Sequence, residues 1–342
     1  MSIICGLDVH RAQVTFDYLD TDTGQLCRGR IAPADRYRLR DWLAERFTGV
    51  AEVDVAVEGC CGWRFVAEEC QGAGARVHLA DPGETAAARG KKRHAKTDKL
   101  DAKHLRVLLE EHRLPESWIP PAEVCEVRAK VRLYKNLVDE RTDWMQRVRA
   151  VCFHQGLPHR RALFSAEGRA ALAATTDLSP AGAQQVAVAL SQIDRLTTDI
   201  DVLRRELVGY ARHQPGCRAL AQRQYGVGWL TAVMIWAEFG DTRRFSASRK
   251  AVRHTGLDIT VYSSDGKRSP GHLARQGPGL LRWALFEAAK SAAKTTSPDH
   301  AYYLQVTSRA GANRATLSVA RKIARRSHHI LRELGDEAFP AA

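Results

Sequence analysis

Two apolar segments within the first sixty residues each close on an acid, and this feature constrains the fold of the chain more than any other. One runs over residues 2–8 and ends at Asp8; the other runs over 53–58 and ends at Glu58. Their short length and branched apolar residues predict buried strands. A carboxylate that closes such a strand is costly unless something compensates it. Further strands are expected over 13–19, 26–31 and 76–80. Helices are expected over 37–47, where Leu39, Trp42, Leu43 and Phe47 keep helical spacing, over 62–70 and over 99–111. Three strands, a helix, and then strands alternating with helices predict a mixed sheet flanked by helices, an α/β domain over 1–115.

Two further acids, Asp98 and Asp101, lie in Lys96-Thr97-Asp98-Lys99-Leu100-Asp101-Ala102. A helix starting at Thr97 or Asp98 turns both aspartates to one side, a turn apart. Asp98 in the first turn also suits the helix dipole. Each acid alone has an ordinary reading: Asp98 as a helix cap, Asp8 as a turn residue. Together, Asp8, Glu58, Asp98 and Asp101, in the order strand, strand, helix, predict an oxygen ligand set of the kind Mg2+ prefers. Paired cations held this way clamp the attacking and leaving oxygens of a phosphodiester. The basic stretch before Asp98 contains Lys91, Lys92, Arg93 and Lys96. It is either a loop that brings a phosphate backbone to the acids or a solvated charge run.

Pro120-Pro121 breaks the chain, and large or apolar residues then recur at heptad spacing at 124, 127, 131, 134, 138, 145 and 148, interrupted by Arg141. A second run follows at Ile193, Leu196, Ile200, Leu203, Leu207 and Tyr210, separated from the first by Gly156, Pro158 and Pro180. Two long helices with narrow apolar seams fit an antiparallel hairpin, an oligomeric coiled coil or the core of an ordinary bundle. From Pro215 onward a mainly helical region is expected. It contains Gly226-Val227-Gly228 before an apolar helix, either a phosphate-holding turn or plain glycine capping. Its last helix carries Arg321, Lys322, Arg325 and Arg326, which either meet phosphates or form a solvated face.

With 342 residues, 44% of them hydrophobic, the chain supports a real core and two or three domains. Its formal net charge of +13 points to a polyanionic partner, nucleic acid being the commonest. None of the eight cysteines forms a Cys-x-x-Cys pair, and no histidine pair supplies zinc-finger spacing. Residues 1–7 lack the features of a signal peptide, no apolar run approaches the roughly 18 residues of a membrane span, and a reducing cytoplasm is the expected compartment.

Gly6-Leu7-Asp8-Val9, Val57-Glu58-Gly59 and the 96–102 segment resemble the Asp-Glu-Asp-Asp signature of the insertion-sequence transposases numbered one hundred and ten. His254-Thr255-Gly256-Leu257, Ser263-Ser264-Asp265-Gly266-Lys267-Arg268, Gly271-His272-Leu273, Gln276-Gly277 and Leu281-Arg282-Trp283 resemble that family's second block. The resemblance implies an N-terminal RuvC-like domain with a ribonuclease-H fold over 1–115, a coiled-coil helical middle over 116–212 and a mainly helical transposase domain over 213–342. It implies a bacterial, nucleoid-associated recombinase that acts on donor and target DNA and is guided by a structured bridge RNA. It further implies a homotetramer, built as a dimer of dimers, in which the acids of one subunit meet a serine of another. That serine attacks DNA, leaves a 5′-phosphoserine link and passes strands through a Holliday junction. The family's serine aligns with Ser264; Asp265 intervenes before Gly266, and Ser263 is the alternative. Where many members carry lysine, this chain has Gln276, and Lys267, Arg268, Arg275 and Arg282 are the replacement candidates for contact with nucleic acid.

A plain metal-dependent, junction-resolving nuclease, with water as the nucleophile, is the competing reading. It predicts cleavage with no covalent protein–DNA link. A decayed, catalytically dead binding protein is the third, and it predicts no nicking at all.

Overall fold

The computed structural model describes residues 2–89, 97–260, 262–264, 267–269 and 271–339, with 262–264 and 267–269 described by their backbone. The chain divides into two compact units, Met1–Ile119 and Pro120–Ala342.

The first unit is a mixed α/β structure built on a six-stranded sheet: β1 (Ser2–Val9), β2 (Val14–Asp20), β3 (Leu26–Ile31), β4 (Glu52–Glu58), β5 (Arg76–Ala80) and β6 (Glu116–Ser117) in the order β3-β2-β1-β4-β5-β6. β1 pairs antiparallel with β2 and parallel with β4, so the chain reaches β4 through a crossover, helix α1 (Arg36–Phe47). Helix α2 (Trp63–Gly72) then leads to β5, which lies parallel to β4.

Strand alternation sorts β1 into two faces. Ile3, Cys5, Leu7 and Val9 join Val53, Val55 and Val57 of β4 against Leu39, Leu43, Val66 and Cys70 of α1 and α2. On the other face Ile4 and Ala56 pack against Leu105 and Leu109 of α4 (Asp98–Glu110). Asp8 and Glu58 have the parity of Ile4 and Ala56. They therefore face α4, which carries the other two acids.

Gly6 fixes how closely α4 approaches. A Cβ at this position would lie 2.1 Å from the Ala102 carbonyl oxygen, so only glycine lets the helix rest on the strand here. One strand over, Asp17 is directly opposite Gly6 and is 1% exposed. Arg106 of α4 and Arg28 of β3 each donate to its carboxylate at 2.5 Å, which ties the helix to β2. Two elements lack an apolar signature. Helix α3 (Pro82–Ala88) buries only Thr85 and is set by its cap, Asp81, with Pro82 at the first helical position. β6 is two residues long.

In the second unit α5 (Ala122–His154) and α7 (Pro180–His213) are each about 50 Å long and run antiparallel. Tyr210 donates to Glu123 and Lys130 to Glu206 at one end, while Val148 and Cys152 meet Val186, Ala189 and Ile193 at the other. α7 begins well before the apolar run at Ile193. Ser179 caps it and Pro180 occupies the first turn, where its missing N–H costs nothing. A short helix, α6 (Ala166–Ala174), packs Leu172 into the far end of the hairpin.

At the near end are α8 (Pro215–Arg223), the mostly apolar α9 (Trp229–Phe239), α10 (Ser248–His254), α11 (Gly279–Ala289), α12 (His300–Ala310) and α13 (Ala312–Leu334). Between α10 and α11 in the chain, β7 (Tyr262–Ser264) and β8 (Lys267–Ser269) pair antiparallel. Among the described residues no helix is long and apolar enough to cross a membrane.

Candidate active site

Asp8 and Glu58 end neighbouring parallel strands. The register pairs Leu7 with Val57, which sets the two acids side by side at the carboxyl ends of β1 and β4. Such strand ends are where open α/β sheets bind ligands. Thr97 caps α4, its hydroxyl accepting from the Leu100 N–H, so Asp98 opens the helix and Asp101 lies one turn on. Asp8, Glu58 and Asp101 line one open cleft with His10, Arg11, Cys60 and Cys61. Asp98 reaches the cluster through His10, whose Nε2 is 3.0 Å from Asp8 Oδ2 and 3.3 Å from Asp98 Oδ1. Gln13 donates to the other oxygen of Asp98 at 3.2 Å, and Arg89 at the end of α3 pairs with Asp101.

Asp8 is 5% exposed. Burial raises its pKa above the ordinary carboxylate range; His10 opposes the shift, and the nearby carboxylates of Asp101 and Asp98 add to it. Burial, with Glu58 and Asp8, likewise raises the Cys60 thiol. Opposite Asp8 on β2, the Thr15 hydroxyl is buried with no hydrogen-bond partner among the described residues. A crowded set of hard oxygen donors at an open cleft, beside an unsatisfied buried hydroxyl, fits a divalent cation.

The second sequence block forms a different structure. Gly256 (φ +67°) and Gly277 (φ +97°) lie back to back. A Cβ on the first would meet the Gln276 carbonyl at 2.2 Å, and one on the second would meet that of His254 at 2.0 Å. From this pinch the chain runs out as a ladder: Arg275 N–H to Gly256, Ala274 N–H to Asp258 and Thr260 N–H to His272. In β7 and β8, Ser263 pairs with Arg268 and Ser264 with Lys267. Ser264 is thus the last residue of β7 and belongs to the second unit, whereas the four acids belong to the first.

The base of the ladder is cationic. Arg128 donates to the Ala237 and Glu238 carbonyls, and Arg244 to that of Phe239; all three lie at the C-terminal end of α9. Arg244 also lies 3.1 Å from His254 Nε2. Burial, then Arg244, pushes His254 down to about 4; burial, then Arg128, pushes Arg244 down to about 10.

Two family models match the chain. A transposase model of the DEDD, IS110 type covers residues 5–153, and the model described as "Transposase IS116/IS110/IS902 family" covers 218–304. The chain belongs to the IS110 family of transposases. The first match spans all four acids, and the second spans the serine hairpin. A "Probable family 20 transposase" of Pseudomonas aeruginosa is 26% identical over 298 residues, covering 84% of this chain and 82% of that relative. The "Transposase for insertion sequence element IS1111A" of Coxiella burnetii is 26% identical over 204 residues, covering 58% of this chain and 56% of the relative. Members of this family are enzymes that cut and rejoin DNA.

Of the basic residues singled out in the transposase sequence, Lys91, Lys92, Arg93 and Lys96 lie outside the described residues, as do the side chains of Ser263, Ser264, Lys267 and Arg268. Arg275 is exposed, with left-handed backbone (φ 54°). Arg282 donates to the Thr255 carbonyl at 3.1 Å and so braces the pinch. On α13, Arg321 donates to Leu257, while Lys322 and Arg326 pair with Asp299, which leaves Arg325 facing outward. Gly226 (φ +84°) packs where a Cβ would strike Ser291, so the sharp turn before α9 requires glycine for close approach.

Sequence reasoning did not single out His10, Asp17, Arg106 or Arg128. His10 had a signal, its place two residues after Asp8. Asp17 and Arg106 are 89 residues apart and had none.

Proposed function

We propose that this transposase cuts DNA with Ser264 and that Asp8, Glu58, Asp98 and Asp101 form the Mg2+ centre that assists it. The observation that carries the reading is the convergence of Asp8, Glu58 and Asp101 on one cleft, with Asp98 joined to it through His10, in a chain from this family. In this reading the first unit is a RuvC-like ribonuclease-H fold, and the regions are 1–115, a coiled-coil middle over 116–212 and a transposase domain over 213–342. A bound cation supplies positive charge against the oxygens of the scissile phosphate. Ser264 Oγ bonds to phosphorus as the bond to the 3′ oxygen breaks, and the proton lost by the serine is made up, through solvent, on the departing 3′ oxygen. A 5′-phosphoserine link and a free 3′ hydroxyl remain. Attack by another strand's 3′ hydroxyl restores the serine and rejoins DNA.

The acids and the serine belong to different units, which suits a homotetramer in which one subunit's acids serve another's serine. Lys91, Lys92, Arg93, Lys96, Lys267, Arg268 and Arg275 are proposed to hold DNA and a bridge RNA, with steep salt dependence; Arg282 positions the base of the hairpin.

A covalent-trapping assay tests this. Full-length protein is mixed with Mg2+, labelled DNA and RNA from the element's flanking non-coding region, then run on a denaturing gel. A protein–DNA band lost in Ser264→Ala is the expected result. A band lost only in Ser263→Ala moves the role by one residue. Cleavage without any band overturns the serine mechanism in favour of a water-using nuclease.

A further inference from the structure

We propose that His10 is a nitrogen ligand of this cation centre and gives it a preference for imidazole-binding divalent transition ions over the Mg2+ that its carboxylates also accept. The inference rests on the metal-centre reading above and extends it beyond the four acids. The donor atoms of Asp8, His10 and Asp98 all lie within 4.8 Å of one another. Donors at right angles around a cation, with bonds of about 2.1 Å, sit about 3 Å apart. The distances from Nε2 to the two carboxylates, 3.0 and 3.3 Å, match that spacing. The ring nitrogen is thus already placed to share an ion with either carboxylate.

A second histidine in the same sheet supplies the contrast. His78 bridges two acids with both ring nitrogens, Nδ1 to Glu116 at 2.9 Å and Nε2 to Asp54 at 3.0 Å. That is a strap between β5, β6 and β4, and its ring has no nitrogen left for a ligand. His10 instead turns one nitrogen toward both carboxylates, so that three donors converge on one point. The turn that carries it is built for this. The His10 N–H donates to the Gln13 carbonyl at 2.9 Å, and the Gln13 side chain holds Asp98. The His10 ring is 49% exposed and borders the cleft, open to an incoming ion.

Oxygen-only sets favour Mg2+, whereas an imidazole nitrogen raises affinity for ions such as Co2+ and Zn2+. Mg2+ holds most of its water and needs only one or two carboxylates, so it gains little from the ring.

Co2+ and Mg2+ are titrated into the full-length chain, its His10→Gln variant and its Asp8→Asn variant by calorimetry. Proton spectra of the Co2+-loaded protein are recorded for the strongly shifted, exchangeable ring N–H of a cobalt-bound histidine. The expected result is Co2+ binding weakened about tenfold or more in His10→Gln, with loss of the shifted resonance. Mg2+ binding should stay within about threefold. Co2+ binding that depends on Asp8 but is unchanged in His10→Gln, with no shifted N–H, overturns the role of His10 and leaves the carboxylate centre standing. Binding of neither ion that depends on Asp8 overturns the centre and this inference together. The resonance is read on the wild-type chain, so its absence there overturns the inference even if the variant fails to fold.

Discussion

The two units each crowd like charges into a small space, and they resolve the crowding in opposite ways. In the helical unit Arg128, Arg244 and His254 gather at the C-terminal end of α9. The last carbonyls of that helix, which lack partners within it, accept hydrogen bonds from the two arginines, and the negative pole of the helix suits them. The cluster is satisfied by the chain itself. In the sheet unit Asp8, Glu58, Asp98 and Asp101 gather where α4 begins, and the positive pole of that helix offsets them in part. His10 and Arg89 offset them further, yet the Asp8 pKa still lies high through burial and its acidic neighbours. Asp8, Glu58 and Asp101 line an open cleft, whereas Arg128 and Arg244 spend their donors on backbone carbonyls of the chain. Internal compensation marks the basic cluster as architecture; incomplete compensation at an open surface marks the acidic one as a place for a ligand.

Asp8→Asn draws this contrast most sharply. The change removes a charge from a crowded cluster and keeps the shape of the side chain. DNA cleavage should fall by about 10³-fold or more, a loss of several kcal/mol of barrier lowering. The thermal midpoint without added metal should hold or rise, because a costly buried charge is gone. Single-turnover cleavage and calorimetric melting of the same preparation check both halves. A falling midpoint would mean that Asp8 is compensated after all and serves the fold.

Arg128→Met tests the other cluster. It leaves the Ala237 and Glu238 carbonyls without their guanidinium donor while keeping much of the apolar stem. Hydrogen bonds to charged groups contribute about 1.5–3 kcal/mol, so the urea unfolding free energy should drop by about 2–3 kcal/mol. Cation binding at Asp8 should be unchanged. Equal loss of both would show that the two clusters do not have separate roles.

The sheet was legible because its strands carry their own signal. Period-two burial and terminal acids in β1 and β4 follow from local sequence, and so does the parity that turns Asp8 and Glu58 to one face. Helix α3 was not legible, since a short polar helix set by Asp81 and Pro82 has no apolar period to detect. Pro180 was read as a break and instead begins α7, because proline is neutral in a first turn and disruptive only further in. The close approach at Gly6 and the Arg106–Asp17–Arg28 network depend on contacts between distant segments, which no spacing rule reports. In the serine block, the paired glycines at 256 and 277 were visible as motif letters. Their reason, two backbones in contact at the root of a hairpin, appears only in three dimensions.

At neutral pH the smallest effect should come from His254, and the sign of its pH dependence separates the clusters further. Its pKa is pushed down to about 4 in the folded chain from an ordinary 6.5, by burial first and then by Arg244. The unfolded chain therefore binds more protons between these values, and stability rises with pH across that window. Stability from the neutral ring is fully present above about 6.5 and is lost as pH falls toward 4. In a His254→Gln variant this part of the pH dependence should disappear. The difference in urea midpoint between wild type and variant should thus shrink steadily from about pH 7 to pH 4. Arg244 and Arg128 keep their charge throughout this range and add no slope of their own. A difference that is flat with pH would mean that the ring gains a proton as readily in the folded chain as in the unfolded one. The fold would then not hold His254 neutral, the basic cluster would not be compensated by the chain itself, and the contrast between the two units would fail.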